Sequence, residues 1–139
     1  MCFAVKFTHK NQKQKTVYVS KDAMIPVIKS DGGTELVRWG RAKTDEGKAF
    51  PHHCARLESI EAGEWDWLHP RGCNLAIDEY ADYGTDGKVH WHKVHNDFMV
   101  RGALLNDEGV FRAYVVTIPA PVEALHMYKG GRMPKVISL

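Results

Sequence analysis

Short apolar runs rich in β-branched residues alternate with polar clusters of Gly, Asp and Asn along the whole chain. That punctuation predicts strands joined by turns. Residues 3–8 and 16–20 read as a hairpin across the polar stretch 9–15. Ser30-Asp31-Gly32-Gly33 is a turn, 35–39 a strand, 44–48 a loop and 54–59 a short strand. Residues 60–68 carry Glu, Ala, Trp and Leu at mixed helical spacing before Pro70, which predicts a helix. In 74–83, Leu75, Ile77 and Ala81 alternate with Asn74, Asp78 and Asp82. Glu79 breaks the apolar side, but the period is that of a strand.

Gly84-Thr85-Asp86-Gly87 turns the chain into strands at 89–94 and 98–105. Asn106-Asp107-Glu108-Gly109 has the composition of a hairpin loop, and 110–118 is the longest β run. Pro119 and Pro121 end that run, and Pro121 suits the first turn of a helix reaching Tyr128. Gly130-Gly131 closes the helix, and 135–138 is a last short strand. About eight strands and two short helices predict an α+β fold, a curved, mostly antiparallel, barrel-like β-sheet with a few short helices.

The length of 139 residues predicts one domain over 1–139, with no repeat or linker. No apolar run approaches a membrane span and no signal pattern is present, so the expectation is a cytoplasmic protein with no membrane partner. Three cysteines without close spacing argue against a disulfide framework and for a reducing compartment. A net charge of +2 permits a polyanion partner without requiring one. Lys6, Lys10, Lys13, Lys15 and Lys21 cluster early. A solvated hairpin is the first reading of that cluster, and a phosphate-binding patch the alternative.

Cys2 carries the most distinctive chemistry. Removal of Met1 would leave an α-amine and a thiol on neighbouring carbons, with ordinary pKa values of about 8 and about 8.5. Such a 1,2-aminothiol attacks an aldehyde with nitrogen and closes a thiazolidine with sulfur. A buried strand thiol is the plainer reading. Two other chemistries compete. His90 and His92, with His95 in HWHKVH, or His52, His53 and Cys54 in HHC, could share a metal. A cysteine hydrolase would need Cys2, a histidine and an acid in contact. Trp65 and Trp67, two apart, cannot share a helix face, so one of them is expected to be exposed or at a groove.

Five stretches, in order, resemble the SRAP family (SOS-response-associated peptidase domain). They are the Met1-Cys2 start, Arg38-Trp39-Gly40, CARLES at 54–59 and AIDEYADY at 76–83, and then Thr117-Ile118-Pro119-Ala120 with Arg132-Met133-Pro134. The resemblance spans the chain from Cys2 to Pro134. It implies a β-rich fold with a positive groove for single-stranded DNA and no cofactor. It implies that Cys2 captures the aldehyde of an abasic site as a thiazolidine DNA–protein crosslink, in a DNA damage or SOS response.

It further implies Asp82 as the proton-transfer carboxylate, in place of the family's glutamate, and His126 as an acid or base. Cys54 stands where the family has asparagine, and Gly130 falls at the family's histidine position. Ala4 replaces an arginine. Arg56, Trp39 and Arg132 are the implied DNA contacts, and Glu58 lines the site beside Cys54. The family name also implies autopeptidase-like removal of a leader, for which trimming of Met1 would suffice here. The alternatives are a diverged, non-catalytic DNA-binding or interaction protein of the same fold and, more distantly, a histidine-based metal module.

Overall fold

A computed structural model describes residues 1–18, 20 and 22–138. Val19, within the predicted strand 16–20, and Lys21, within the lysine cluster, lie outside them. Among the described residues, two sheets are built from twelve strands and share one core. The first sheet holds β1 (Ala4–His9), β2 (Gln12–Val17), β7 (Glu79–Tyr83) and β8 (Val89–Lys93), in the order β2-β1-β7-β8. The second holds β3 (Met24–Ile28), β4 (Thr34–Trp39), β5 (Cys54–Arg56), β6 (Arg71–Leu75), β9 (Phe98–Asp107), β10 (Val110–Pro119), β11 (Arg132–Pro134) and β12 (Val136–Ser138). Its strands β10, β4, β3, β6 and β9 close into a barrel, because β9 also pairs with β10. The barrel is mostly antiparallel, with β10 running parallel to β4 and to β5. The expected barrel-like α+β fold is therefore the one observed.

The continuous apolar run of β10 follows from burial on both faces. Ala113 and Val115 join the core between the sheets, whereas Tyr114 and Val116 pack outward against Ala55, Trp65 and Leu68. Complete burial of side chains such as Phe7, Ile25 and Leu75 contributes about 1.5–3 kcal/mol each. At the far end of β10 its hairpin with β9 splays open. The chain from Arg132 to Ser138 fills the fork, pairing first with β10 and then with β9.

Several expectations change in detail. The first hairpin turns at Lys10 and Asn11, both at positive φ, so the strands extend to His9 and from Gln12. β3 contains Pro26, which hid it from the sequence pattern. The ladder there is sparse, since β6 meets β3 only at Val27 and Leu75, and the Pro26 carbonyl accepts the Ala76 N–H at 3.1 Å. The predicted strand 74–83 is two strands. The chain leaves the barrel after Leu75, and Asp78 N–H donates to the Lys6 carbonyl as it joins the other sheet. The predicted helix 60–68 is a short α-helix, α1 (Leu57–Glu61), followed by a 3₁₀ turn at Asp66–Leu68. The helix expected after Pro121 is a 3₁₀ segment, Val122–Met127.

β4 ends in Gly40, at φ +62°. Its N–H donates to the Ala113 carbonyl, and a Cβ there would run into the carbonyl of His52. Gly40→Ala is expected to destabilise the protein by about 2 kcal/mol or more. Urea unfolding checks this, and an unchanged midpoint would contradict it.

Candidate active site

β1 and β7 lie side by side with Ala4 opposite Ala81, so the residues before Ala4 run past the end of β7. Phe3 N–H donates to the Ala81 carbonyl at 3.1 Å. This places Cys2 in the core between the two sheets, 1% exposed. Cys54, at the start of β5, donates through Sγ to the Cys2 carbonyl at 3.8 Å. Asp82, on β7, is fully buried and lies beneath the amine of Met1, with Oδ1 to nitrogen at 3.1 Å. Oδ1 also accepts the Tyr83 N–H at 2.7 Å, whereas Oδ2 has no partner among the described residues. Lys129 N–H donates to the Tyr83 carbonyl, and this lays Gly130 beside the same amine. A Cβ on Gly130 would stand 3.7 Å from it. Cys54, Asp82 and Gly130, far apart in sequence, thus meet at the first two residues.

Burial dominates the electrostatics. It pushes the Cys2 thiol well above its ordinary value, and the neighbouring Cys54 and Asp82 add to the shift. The Cys54 thiol is pushed up to about 12, chiefly by burial. Both are therefore neutral thiols at pH 7, poor nucleophiles in the resting state.

Two histidines that sequence reading had assigned only to a metal stand close by. His53 stacks on Tyr18 with centroids 4.2 Å apart and meets Trp39 edge-on. Burial lowers its pKa to about 4, so the ring is neutral. His92 stacks against both Tyr80 and Tyr128, with ring centroids 5.0 and 4.9 Å away, and the two tyrosine hydroxyls share a 2.6 Å hydrogen bond with each other. Burial lowers its pKa, against the opposing pull of Asp82. The sequence shows only the alternation that puts His90 and His92 on one strand face; the strand register places His92 opposite Tyr80, two residues from Asp82.

A groove of about 430 Å³ opens beside Met1, lined by His52, Cys54, Arg56, Ser59 and Trp65 among others. The exposed Arg56 is part of this groove lining. Trp65 is buried and Trp67 is 53% exposed, which resolves the pair as anticipated. Phe50, also in the groove lining, meets both indoles edge-on.

Other candidates sit elsewhere. Trp39 is a core residue, 2% exposed, whose indole N–H donates to the His53 carbonyl at 2.9 Å, so it has no free face for a base. Arg132 is committed internally, with a two-pronged bond to Glu58 at 2.7 Å on each arm and further bonds to Thr117. It ties β11 to α1 and is not open to DNA. Glu58 is its partner and not part of the groove lining. His126 is exposed on the 3₁₀ segment, and its carbonyl accepts two bonds from Thr85. No hydrogen bond among the described residues joins its ring to Cys2 or Asp82. His90 pairs with Asp86 at 3.0 Å, and among the described residues no three His, Cys, Asp or Glu side chains are grouped to hold a metal.

The Arg132 fork is the largest cause that lowers the Glu58 carboxyl, to about 2. A depressed folded pKa adds stability above the unfolded value near 4.5, and that stability is lost as pH falls toward about 2. Because Glu58 is solvent-exposed, the effect is expected to be modest. Glu58→Gln should flatten this part of the acid unfolding curve, measured by circular dichroism, and an identical acid limb in both proteins would contradict the pairing.

No family profile matches the chain, and no curated protein matches it. No helix among the described residues is long and apolar enough to cross a membrane.

Proposed function

We propose that the chain recognises single-stranded DNA at an abasic site and captures its aldehyde through Cys2. The observation that carries this reading is the buried Asp82 carboxylate, held 3.1 Å from the chain's amine and directly beside Cys2. Loss of Met1, which lines the groove, would move the amine to Cys2 and open a path to it.

The raised thiol pKa sets the order of events. Nitrogen attacks first. The neutral amine adds to the aldehyde carbon, and Asp82 takes the proton released from nitrogen. Asp82 delivers it to the oxygen to form a hydroxyl, and relaying the second nitrogen proton to that hydroxyl expels water and leaves an imine. The Cys2 sulfur then adds to the imine carbon, and its proton passes to nitrogen. The product is a thiazolidine and one water. Asp82 is one methylene shorter than the glutamate of the family it resembles, and its oxygen reaches the Met1 amine, one residue before the Cys2 nitrogen. Gly130 leaves free the space that a side chain would take. Arg56, in the groove lining, supplies an exposed guanidinium for a DNA phosphate.

The test is peptide mapping after incubation with single-stranded DNA bearing one abasic site. The peptide beginning at Cys2 should carry the DNA and should resist both amine and thiol reagents. Attachment at any lysine instead would sink the mechanism. The burial of Cys2 favours one other reading, a DNA-binding member in which Cys2 is a core thiol. A mature protein that retains Met1 and binds DNA without an adduct would establish it.

A further inference from the structure

The four-stranded sheet carries a cationic, aromatic face that the groove at Cys2 does not use. Strand alternation puts Lys13 and Lys15 of β2, Lys6 of β1, and Trp91 and Lys93 of β8 on this side. The register runs Lys15 to Lys6, Lys6 to Glu79 and Glu79 to Lys93, so a row of charges crosses all four strands, with lysines on β2, β1 and β8. Trp91 anchors the group. The Lys6 ammonium lies 4.1 Å from its ring centroid and that of Lys15 5.7 Å, which confirms the shared face. A groove of about 450 Å³ runs among Lys6, Lys13, Lys15 and Lys93. The acids along it are Glu79, set between Lys6 and Lys93, and Asp78, which accepts a bond from Thr8. Four lysines against these two carboxylates leave the face positive.

Tyr83, 45% exposed, shares the face two positions beyond Ala81, which lies opposite Trp91. Tyr83 and Trp91 are therefore diagonal neighbours. Tyr83 follows Asp82 in the chain and stacks at 4.8 Å on Phe3, which follows Cys2. The face thus begins one residue from each of the two central residues of the proposed site.

We propose that this sheet face binds single-stranded nucleic acid, with bases stacked on Trp91 and Tyr83 and phosphates held by Lys6, Lys13, Lys15 and Lys93. Charge complementarity selects a polyanion, and an exposed Tyr83 beside a half-buried Trp91 selects one with unpaired bases, which would displace the lysines now lying over the indole. The lysine cluster is then more than a solvated hairpin. The inference shares its ligand with the proposed function and requires none of the covalent chemistry at Cys2.

The experiment measures affinity of the full chain for undamaged oligothymidylate at several salt concentrations, with duplex DNA as a comparison. Trp91→Ala should weaken single-strand binding by about 5- to 100-fold, and Trp91→Phe should restore most of it. Replacing the four lysines by glutamine should reduce the salt slope by up to about 3. Circular dichroism confirms that each variant is folded. A second readout, thiazolidine formation with free deoxyribose phosphate, which carries no base to stack on the face, should be unchanged in these variants. Equal affinity in wild type, Trp91→Ala and the lysine variant overturns the inference, as does tighter binding of the duplex. Failure of deoxyribose phosphate to form the adduct, with oligothymidylate still bound through Trp91, sinks the reading of Cys2 and leaves the face standing.

Discussion

Cys2→Ser is expected to eliminate the proposed heat-stable adduct with abasic-site DNA, while a borohydride-trappable imine remains. Serine keeps the α-amine, so the first step, addition of nitrogen to the aldehyde, is preserved. What it lacks is the sulfur that closes the ring, and the imine alone reverts in water. Cys2→Ala behaves in the same way. Asp82→Asn acts on the earlier step. An amide cannot take the proton from nitrogen or return it to the leaving hydroxyl, so adduct formation slows by about 10²- to 10⁴-fold. Denaturing gels run with and without borohydride separate the two effects. A heat-stable adduct persisting in Cys2→Ser would mean that another nucleophile is responsible.

Arg112→Met lowers stability by about 3–5 kcal/mol, the largest structural effect expected in the chain. Arg112 and Asp107 are both 3% exposed, and Arg112 Nε donates to Asp107 Oδ2 at 2.9 Å. Its other nitrogens donate to the carbonyls of Gly40 and Glu46, and Asp107 Oδ1 accepts the Lys48 N–H. The pair therefore fastens residues 40–48 to the β9–β10 hairpin. Removing one partner strands a buried charge. Replacing both, as Arg112→Met with Asp107→Leu, recovers part of the loss, because no charge is left unpaired. Burial alone would raise the Asp107 carboxyl, but the Lys48 N–H and the Arg112 guanidinium outweigh it and hold the pKa below its usual range. Its contribution is thus complete above about pH 4 and falls away as pH drops through the folded value. Urea melts at pH 7 and below pH 4 measure both effects, and an unchanged midpoint in Arg112→Met would contradict them.

Much of this architecture was legible in the residues. The β9–β10 hairpin follows from Asn106 to Gly109 between two apolar runs, and Glu108 and Gly109 indeed take positive φ. β3 was not legible, because Pro26 argues against a strand until its sparse pairing is known. Nor was the change of sheet after Leu75, which local alternation cannot distinguish from one longer strand. Trp39 and Arg132 stood in stretches that resemble DNA-contacting motifs, but long-range packing decided their roles. Trp39 is enclosed by Tyr18 and His53, and Arg132 is claimed by Glu58 across the fork in β10. The site itself depends on three separate pairings: β7 against β1, β5 against β10, and Lys129 against Tyr83. Each brings one of Asp82, Cys54 and Gly130 to the amine, and no one-dimensional spacing encodes that meeting.

The most direct measurement is the intact mass of the Met1-free protein after incubation with a single-stranded oligonucleotide containing one abasic site. The expected product has the summed mass of protein and DNA less one water, in one-to-one ratio, and survives heating. Recovery of the protein at its own mass, with the α-amine of Cys2 shown to be free, would contradict capture by Cys2.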